Sequence, residues 1–145
     1  MEKINLEIKY EHKWIDHPLA ISTHIDDRDI EYDCTGQKHT TIKKKINLSG
    51  SEHKLVLKIS GKNEENTKVD KDKNIVDDTI ITIKSIKIND IELMPLLYHT
   101  EGFQTFYING QKDQTLTKLT EIGHNGLWEF RFKTPIYDWM LESLF

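Results

Sequence analysis

The feature that most constrains this chain is a strict period of two. Ile4-Asn-Leu-Glu-Ile-Lys-Tyr10 alternates apolar and polar without a break. Only a pleated strand sends successive side chains to opposite faces, so this segment predicts a half-buried strand. The pattern returns at Leu19, Ile21 and Ile25, at Ile30, Tyr32 and Cys34, and at Ile42, Ile46 and Leu48. It returns again at Leu55, Leu57 and Ile59, and at Trp128, Phe130 and Phe132. Turn-forming residues separate these runs: Asp26-Asp27, Thr35-Gly36-Gln37, Ser49-Gly50-Ser51, Asn109-Gly110 and Gly123-His-Asn-Gly126. In Thr79 to Leu93 the parity slips between Ile83 and Ile86. That predicts a bulge around Lys84-Ser85, or a turn at Asn89-Asp90 leading into a further short strand. Eight or nine short strands punctuated in this way predict an all-β chain, an antiparallel β-sandwich of jelly-roll type.

Composition agrees. The chain holds 19 Ile and one Ala (Ala20) in 145 residues, and Ile favours strands while Ala favours helices. One short helix is predicted, Ile136 to Leu144, with Thr134 as its N-cap and Pro135 as its first residue. Residues 1–93 read as the sandwich core, and residues 94–145 as a C-terminal extension that completes the sandwich and ends in that helix.

Charge narrows the partners. There are 18 Lys and two Arg, mixed with 24 acidic residues, for a net charge of -4. No basic face points to nucleic acid, and Lys43-Lys44-Lys45 reads as an exposed stretch of strand. The single cysteine, Cys34, excludes an internal disulfide and reads as inward packing. No run approaches ~18 consecutive apolar residues, so no membrane span is predicted. The charged N-terminus lacks the apolar stretch of a signal peptide, which predicts synthesis in a cytoplasm without export by that route.

No reaction is legible. The seven histidines are scattered without a zinc spacing. No Gly-x-Ser-x-Gly elbow, phosphate loop or apolar-flanked pair of acids appears, and the expectation is a protein without enzymatic activity. Residues 61–78 form the most polar stretch, a long loop of the functional or solvated kind. Within it Asp70-x-Asp72-x-Asn74 opens like a calcium loop. Ile75 and Ile81 then stand where an EF-hand needs Gly and Glu. Asp77 and Asp78 follow directly. Carboxylates from this loop holding calcium is one reading; a solvated loop balanced by Lys68, Lys71 and Lys73 is the other. Trp14, in a loop beside Tyr10 and His17, is the candidate for stacking on a sugar, with packing at an interface as its alternative. Trp128 shares the phase of Phe130 and Phe132 and is predicted in the core, and Trp139 is predicted to cap the sandwich.

Three segments carry a family resemblance. They are Ile4 to Tyr10 followed by the hairpin Leu19 to Tyr32, then Ser51-Glu-His-Lys-Leu-Val-Leu-Lys-Ile59, and Asp77-Asp-Thr-Ile-Ile-Thr-Ile-Lys-Ser-Ile-Lys-Ile-Asn-Asp90. Together they resemble the small calcium-dependent xylan-binding modules, carbohydrate-binding families 36 and 60. The resemblance implies that Asp72, Asp77 and Asp78 are calcium ligands and that sugar hydroxyls complete the coordination. The Lys-rich loop and the missing Gly-rich loop and disulfide depart from that family. The run Gly126 to Trp139, ending in a short apolar helix, is similar to small virion-associated proteins of tailed phages. That second resemblance implies a non-enzymatic structural or interaction protein, a head or tail accessory component of a phage virion present in several copies. It would contact other virion proteins through Trp139, Met140, Leu144 and Phe145. The alternative function is a calcium-dependent carbohydrate-binding module.

Overall fold

A computed structural model describes residues 1–33, 37–99, 104–108, 111–112 and 121–144. Cys34, most of the Thr35-Gly36-Gln37 turn, Asn109-Gly110 and Phe145 lie outside the described residues. The chain folds as the predicted antiparallel β-sandwich with a short C-terminal helix. Its strands are β1 (Glu2–Lys13), β2 (Ala20–Ile25), β3 (Arg28–Asp33), β4 (His39–Leu48), β5 (Glu52–Ser60), β6 (Thr67–Val69) and β7 (Ile75–Asp78). They continue with β8 (Ile80–Ile88), β9 (Ile91–Glu92), β10 (Gln104–Ile108), β11 (Gln111–Lys112), β12 (Glu121–Ile122) and β13 (Gly126–Lys133). The helices are α1 (Met94–His99) and α2 (Ile136–Leu144).

One sheet runs β12-β8-β1-β4, with β9 on the end of β8, and the other runs β11-β10-β13-β5-β2-β3. The chain passes repeatedly from one sheet to the other, as a jelly roll does. A separate ribbon pairs β6 with β7. The inward residues of both sheets (Ile4, Leu6, Ile8 and Tyr10 from β1, Leu55, Leu57 and Ile59 from β5, Phe130 and Phe132 from β13) form one buried cluster. The segment after residue 93 is integral to it, because β13 lies between β10 and β5.

Both expectations for the isoleucine-rich stretch hold. Lys9 pairs with Ser85 and Tyr10 with Ile83, so Lys84 is the extra residue of a bulge. Asn89 and Asp90, with φ of 52° and 65°, form a two-residue turn from Ile88 to Ile91. Asp26 and Asp27, at 48° and 66°, join β2 to β3 in the same way. These left-handed positions suit Asn and Asp. Lys43, Lys44 and Lys45 are exposed on β4, an edge strand, where lysines blunt edge-to-edge pairing. The approach of β10 to β13 needs Gly126, because a Cβ there would lie 2.3 Å from the Tyr107 carbonyl oxygen.

Three expectations change. Helix α1 was not foreseen; its buried Met94 and Leu96, beside Leu93, are too short a signature to show a period of 3.6. Thr134 does not cap α2. Its hydroxyl donates to the Gly50 carbonyl at 2.8 Å. The carboxylate of Glu2 instead accepts from the Ile136 N–H, and the Pro135 carbonyl accepts from Trp139. A distant carboxylate thus satisfies a helix N-terminus that the local sequence seemed to satisfy. Finally, Trp139 caps the core as predicted, but it and Met140, also expected to offer an outer interface, are buried at 6% and 4% exposure. Trp139 sits edge-on to Phe130 and Phe132 with ring centroids 6.2 Å apart. The outward face of α2 carries Tyr137 and Leu141, more than half exposed.

Candidate functional site

Asp77 and Asp78 lie at one end of the sandwich. There the β1–β2 connection, the 61–79 insertion and the turn before β13 meet. The insertion is more ordered than a solvated loop. After β5, Asn63 caps a 3-10 turn, Glu64–Asn66, by accepting from Glu65 N–H and donating its own N–H to the Asn66 side chain. Asn66 is fully buried, and its amide donates to the carbonyls of Ile15 and His17 at 2.9 and 2.8 Å. Thr79, also fully buried, donates to the Asn66 carbonyl and accepts from the Ile15 N–H. Buried backbone groups require such partners, so Asn66 and Thr79 fasten the insertion to the β1–β2 connection.

Lys62 occupies the centre of this junction. Its ammonium lies 2.7 Å from Asp78 Oδ1 and donates to the carbonyls of Thr79 at 3.2 Å and Gly123 at 2.5 Å. Its side chain is 12% exposed. Asn125 adds a reciprocal pair of bonds to the Lys62 backbone. One carboxylate and two carbonyl oxygens around a positive charge are the donor types that a hard cation takes. Here the chain's own ammonium holds that position. Burial pushes the Asp78 carboxyl upward, and the bonds from Lys62, the Thr67 hydroxyl and the Thr79 N–H outweigh it, so the carboxyl lies below its ordinary range.

The other predicted ligands are dispersed. Asp77, adjacent to Asp78 on β7, pairs with Lys13 at 2.5 Å, and that ammonium and the Asp78 N–H hold its carboxyl low. Asp72 is exposed at the tip of the β6–β7 ribbon. Its neighbour Asp70 uses one oxygen to accept from the N–H groups of Asp72 and Asn74, a side-chain-to-backbone turn. The structure therefore does not gather Asp72, Asp77 and Asp78 around one point. Among the described residues, the acid–histidine group with ligand atoms within 4.8 Å of one another is Asp16, His17 and Glu65. No sequence spacing marked it, since Glu65 lies 48 residues from His17. Within it His17 Nδ1 is 2.8 Å from Asp16 and Nε2 is 2.9 Å from the Gly61 carbonyl. Both ring nitrogens face acceptors, first Asp16 and then Gly61, and this raises the His17 pKa. The bond to His17, followed by that to Glu65, lowers Asp16. A histidine held between two oxygens is a clasp that favours the protonated ring, whereas a metal requires a neutral imidazole.

Trp14 is half-buried, with its ring 5.0 Å from the buried His12. It lines a groove of about 470 Å³ with Glu11, Lys13, Lys38 and His39. Trp128 is buried as predicted, and its indole N–H donates to Gln104 at 3.0 Å. The Leu144 side chain lies outside the described residues.

The opposite end of β5 holds a second cluster. His53, whose side chain is fully buried, lies 2.5 Å through Nδ1 from Asp26 and 3.0 Å through Nε2 from the Thr134 hydroxyl. The other Asp26 oxygen accepts from the Lys54 N–H. Sequence reading counted His53 among scattered histidines. The signal that finds it is its inward phase on β5 together with Asp26, which directly follows the β2 partner of Leu55. No helix among the described residues is long and apolar enough to cross a membrane. No family model, curated protein or solved structure matches the chain.

Proposed function

We propose that this chain is a non-enzymatic structural or interaction protein, an accessory component of a phage head or tail that works in several copies against other virion proteins. One observation carries the non-enzymatic part. The side chains best placed for chemistry bind one another across the fold: His53 with Asp26 and Thr134, Lys62 with Asp78 and two carbonyls, His17 with Asp16 and Gly61. General acid–base or nucleophilic work needs a group free to meet a substrate, whereas these serve as ties between loops. The virion setting rests on the sequence resemblance read in the run Gly126 to Trp139. The attachment expected of the C-terminal segment falls to Tyr137 and Leu141, because Trp139 and Met140 are in the core. Exposed apolar side chains one helical turn apart suit an attachment face.

The test is mass spectrometry of purified particles, combined with a Tyr137→Asp, Leu141→Asp double variant. The native chain is expected in the particles, and the double variant is expected to fold but be lost from them. Deleting residues 136–145 is the poorer experiment, since it removes Ile136, Trp139 and Met140 from the core. A chain absent from purified particles would end the virion reading.

A further inference from the structure

We propose that the outward face of β5 and β13, beside Lys54 and Arg131, is a binding site for the carboxylate of an acidic saccharide. The inference stands on its own residues, independently of the virion reading. Lys54 and Arg131 are direct partners in the β5–β13 register. Both point outward, because the neighbouring Leu55, Phe130 and Phe132 point inward and are buried. Like charges directly opposite one another destabilise a strand pair. The next outward pair, Glu52 with Lys133, has opposite signs, so the repulsive pair is a local feature.

The arginine is also held in place. Its Nε donates to Glu129 Oε1 at 2.9 Å, and a terminal nitrogen donates to the Tyr107 hydroxyl at 3.2 Å. Glu129 is 12% exposed and Arg131 is 59% exposed. A guanidinium carries five donors in a fixed fork, so donors remain for a planar, bidentate acceptor such as a carboxylate. Among the described residues, the ion pair of the Lys54 ammonium is a long contact of 3.9 Å to Asp27, which is itself 90% exposed. An anion bridging Lys54 and Arg131 would cancel their repulsion.

The groove there holds about 570 Å³ and includes Glu52, Lys54, Glu129, Arg131, Lys133 and Trp139 in its lining. That volume falls within the range of about 300–1,000 Å³ typical of small-ligand sites. The lining decides between two kinds of anion. Alongside its cations it presents the carboxylates of Glu52 and Glu129. A polyacidic peptide brings only further negative charge to these groups. A sugar acid brings one carboxylate for Lys54 and Arg131 and several hydroxyls that donate to the acidic groups.

The experiment titrates the full chain with tetragalacturonate, maltotetraose and a tetraglutamate peptide, reading heat of binding and the thermal midpoint. Tetragalacturonate is expected to bind and raise the midpoint, with maltotetraose about tenfold weaker or more. Arg131→Gln and Lys54→Gln should each weaken tetragalacturonate by about tenfold. Lys54→Gln without ligand should melt no lower than the native protein, since it removes a repulsion. Absence of tetragalacturonate binding to the native chain would overturn the proposal, as would unchanged binding by both variants. Tetraglutamate binding as tightly as the sugar acid would also overturn it, by making the groove a peptide site.

Discussion

The two ends of β5 are each closed by a polar side chain, and they are closed on different principles. At its start, His53 ties the β2–β3 turn to the end of β13 through Asp26 and Thr134. Just past its end, Lys62 ties the 61–79 insertion to the turn before β13 through Asp78 and the Thr79 and Gly123 carbonyls. The His53 cluster follows from strand register. Ile25 pairs with Leu55 and Lys133 with Glu52, so Asp26 and Thr134 arrive beside His53 once the sheet forms. The Lys62 cluster has no such guide, because Thr79 and Gly123 lie outside the strands and Asp78 ends a ribbon that pairs with neither main sheet. One tie is thus a consequence of the core, and the other holds loops that the core does not position. Substitutions at the two ends should differ accordingly.

The largest effect is expected at the His53 end. Trp139 covers Phe130 and Phe132, and Phe132 lies 5.4 Å from the His53 ring. Trp139→Ala should cost about 4 kcal/mol of unfolding free energy, the usual cost of emptying a large aromatic site. Urea denaturation checks it. A loss well under about 1 kcal/mol would mean that Trp139 is surface after all and that the aromatic layer does not support this end.

Next comes Lys62→Met, which keeps the stem and removes the charge. It leaves Asp78 and two carbonyls without their shared donor, at a cost of about 2–3 kcal/mol. The same site sharpens the calcium question. With Lys62→Ala, millimolar calcium is expected to raise the thermal midpoint, since a cation can enter the vacated oxygen cage. The native midpoint is expected to stay unchanged. If calcium raises the native midpoint, the ammonium does not occupy the cation position.

Thr134→Val should cost less, about 1–2 kcal/mol, by removing the hydroxyl between His53 and the Gly50 carbonyl while preserving shape. Chemical denaturation should place it between Lys62→Met and ordinary surface changes. A neutral result would show that the register alone closes this end of β5.

Much of the fold was legible because alternation is local. The phases of β1, β5 and β13, the bulge at Lys84 and the turns at Asp26-Asp27 and Asn89-Asp90 each follow from a few adjacent residues. Helix α1 and the capping of α2 were not legible. A six-residue helix gives no clear period, and Glu2 reaches Ile136 only through the folded chain. The candidate site was the least legible part. Asp77 and Asp78 stood out in the sequence as calcium ligands beside Asp72, but adjacency on a strand sends them apart, to Lys13 and Lys62. Composition showed the lysines around the insertion as charge balance. It carried no sign that one of them would stand where a metal was expected.

The smallest expected effect concerns the His17 clasp, next to the Lys62 cluster. His17 joins Asp16 on the β1–β2 connection to the Gly61 carbonyl after β5, with Glu65 beside it. The bonds to Asp16 and Gly61 raise the histidine's pKa, so folding favours its protonated form. That contribution is fully present below the unfolded-state value, near 6.5, and is lost as pH rises through the higher folded value. Asp16 behaves oppositely. The bond from His17 lowers its pKa, so its contribution is present above the ordinary Asp range and is lost as pH falls through the folded value. The clasp should therefore stabilise the loops between the lowered Asp16 value and the raised His17 value, and weaken as pH rises through the latter. Thermal midpoints of the native chain and His17→Gln, taken from pH 5 to 9, should differ most at the acidic end and converge at the alkaline end. Parallel curves would remove the ionic clasp and leave the insertion held by Asn66, Thr79 and Lys62.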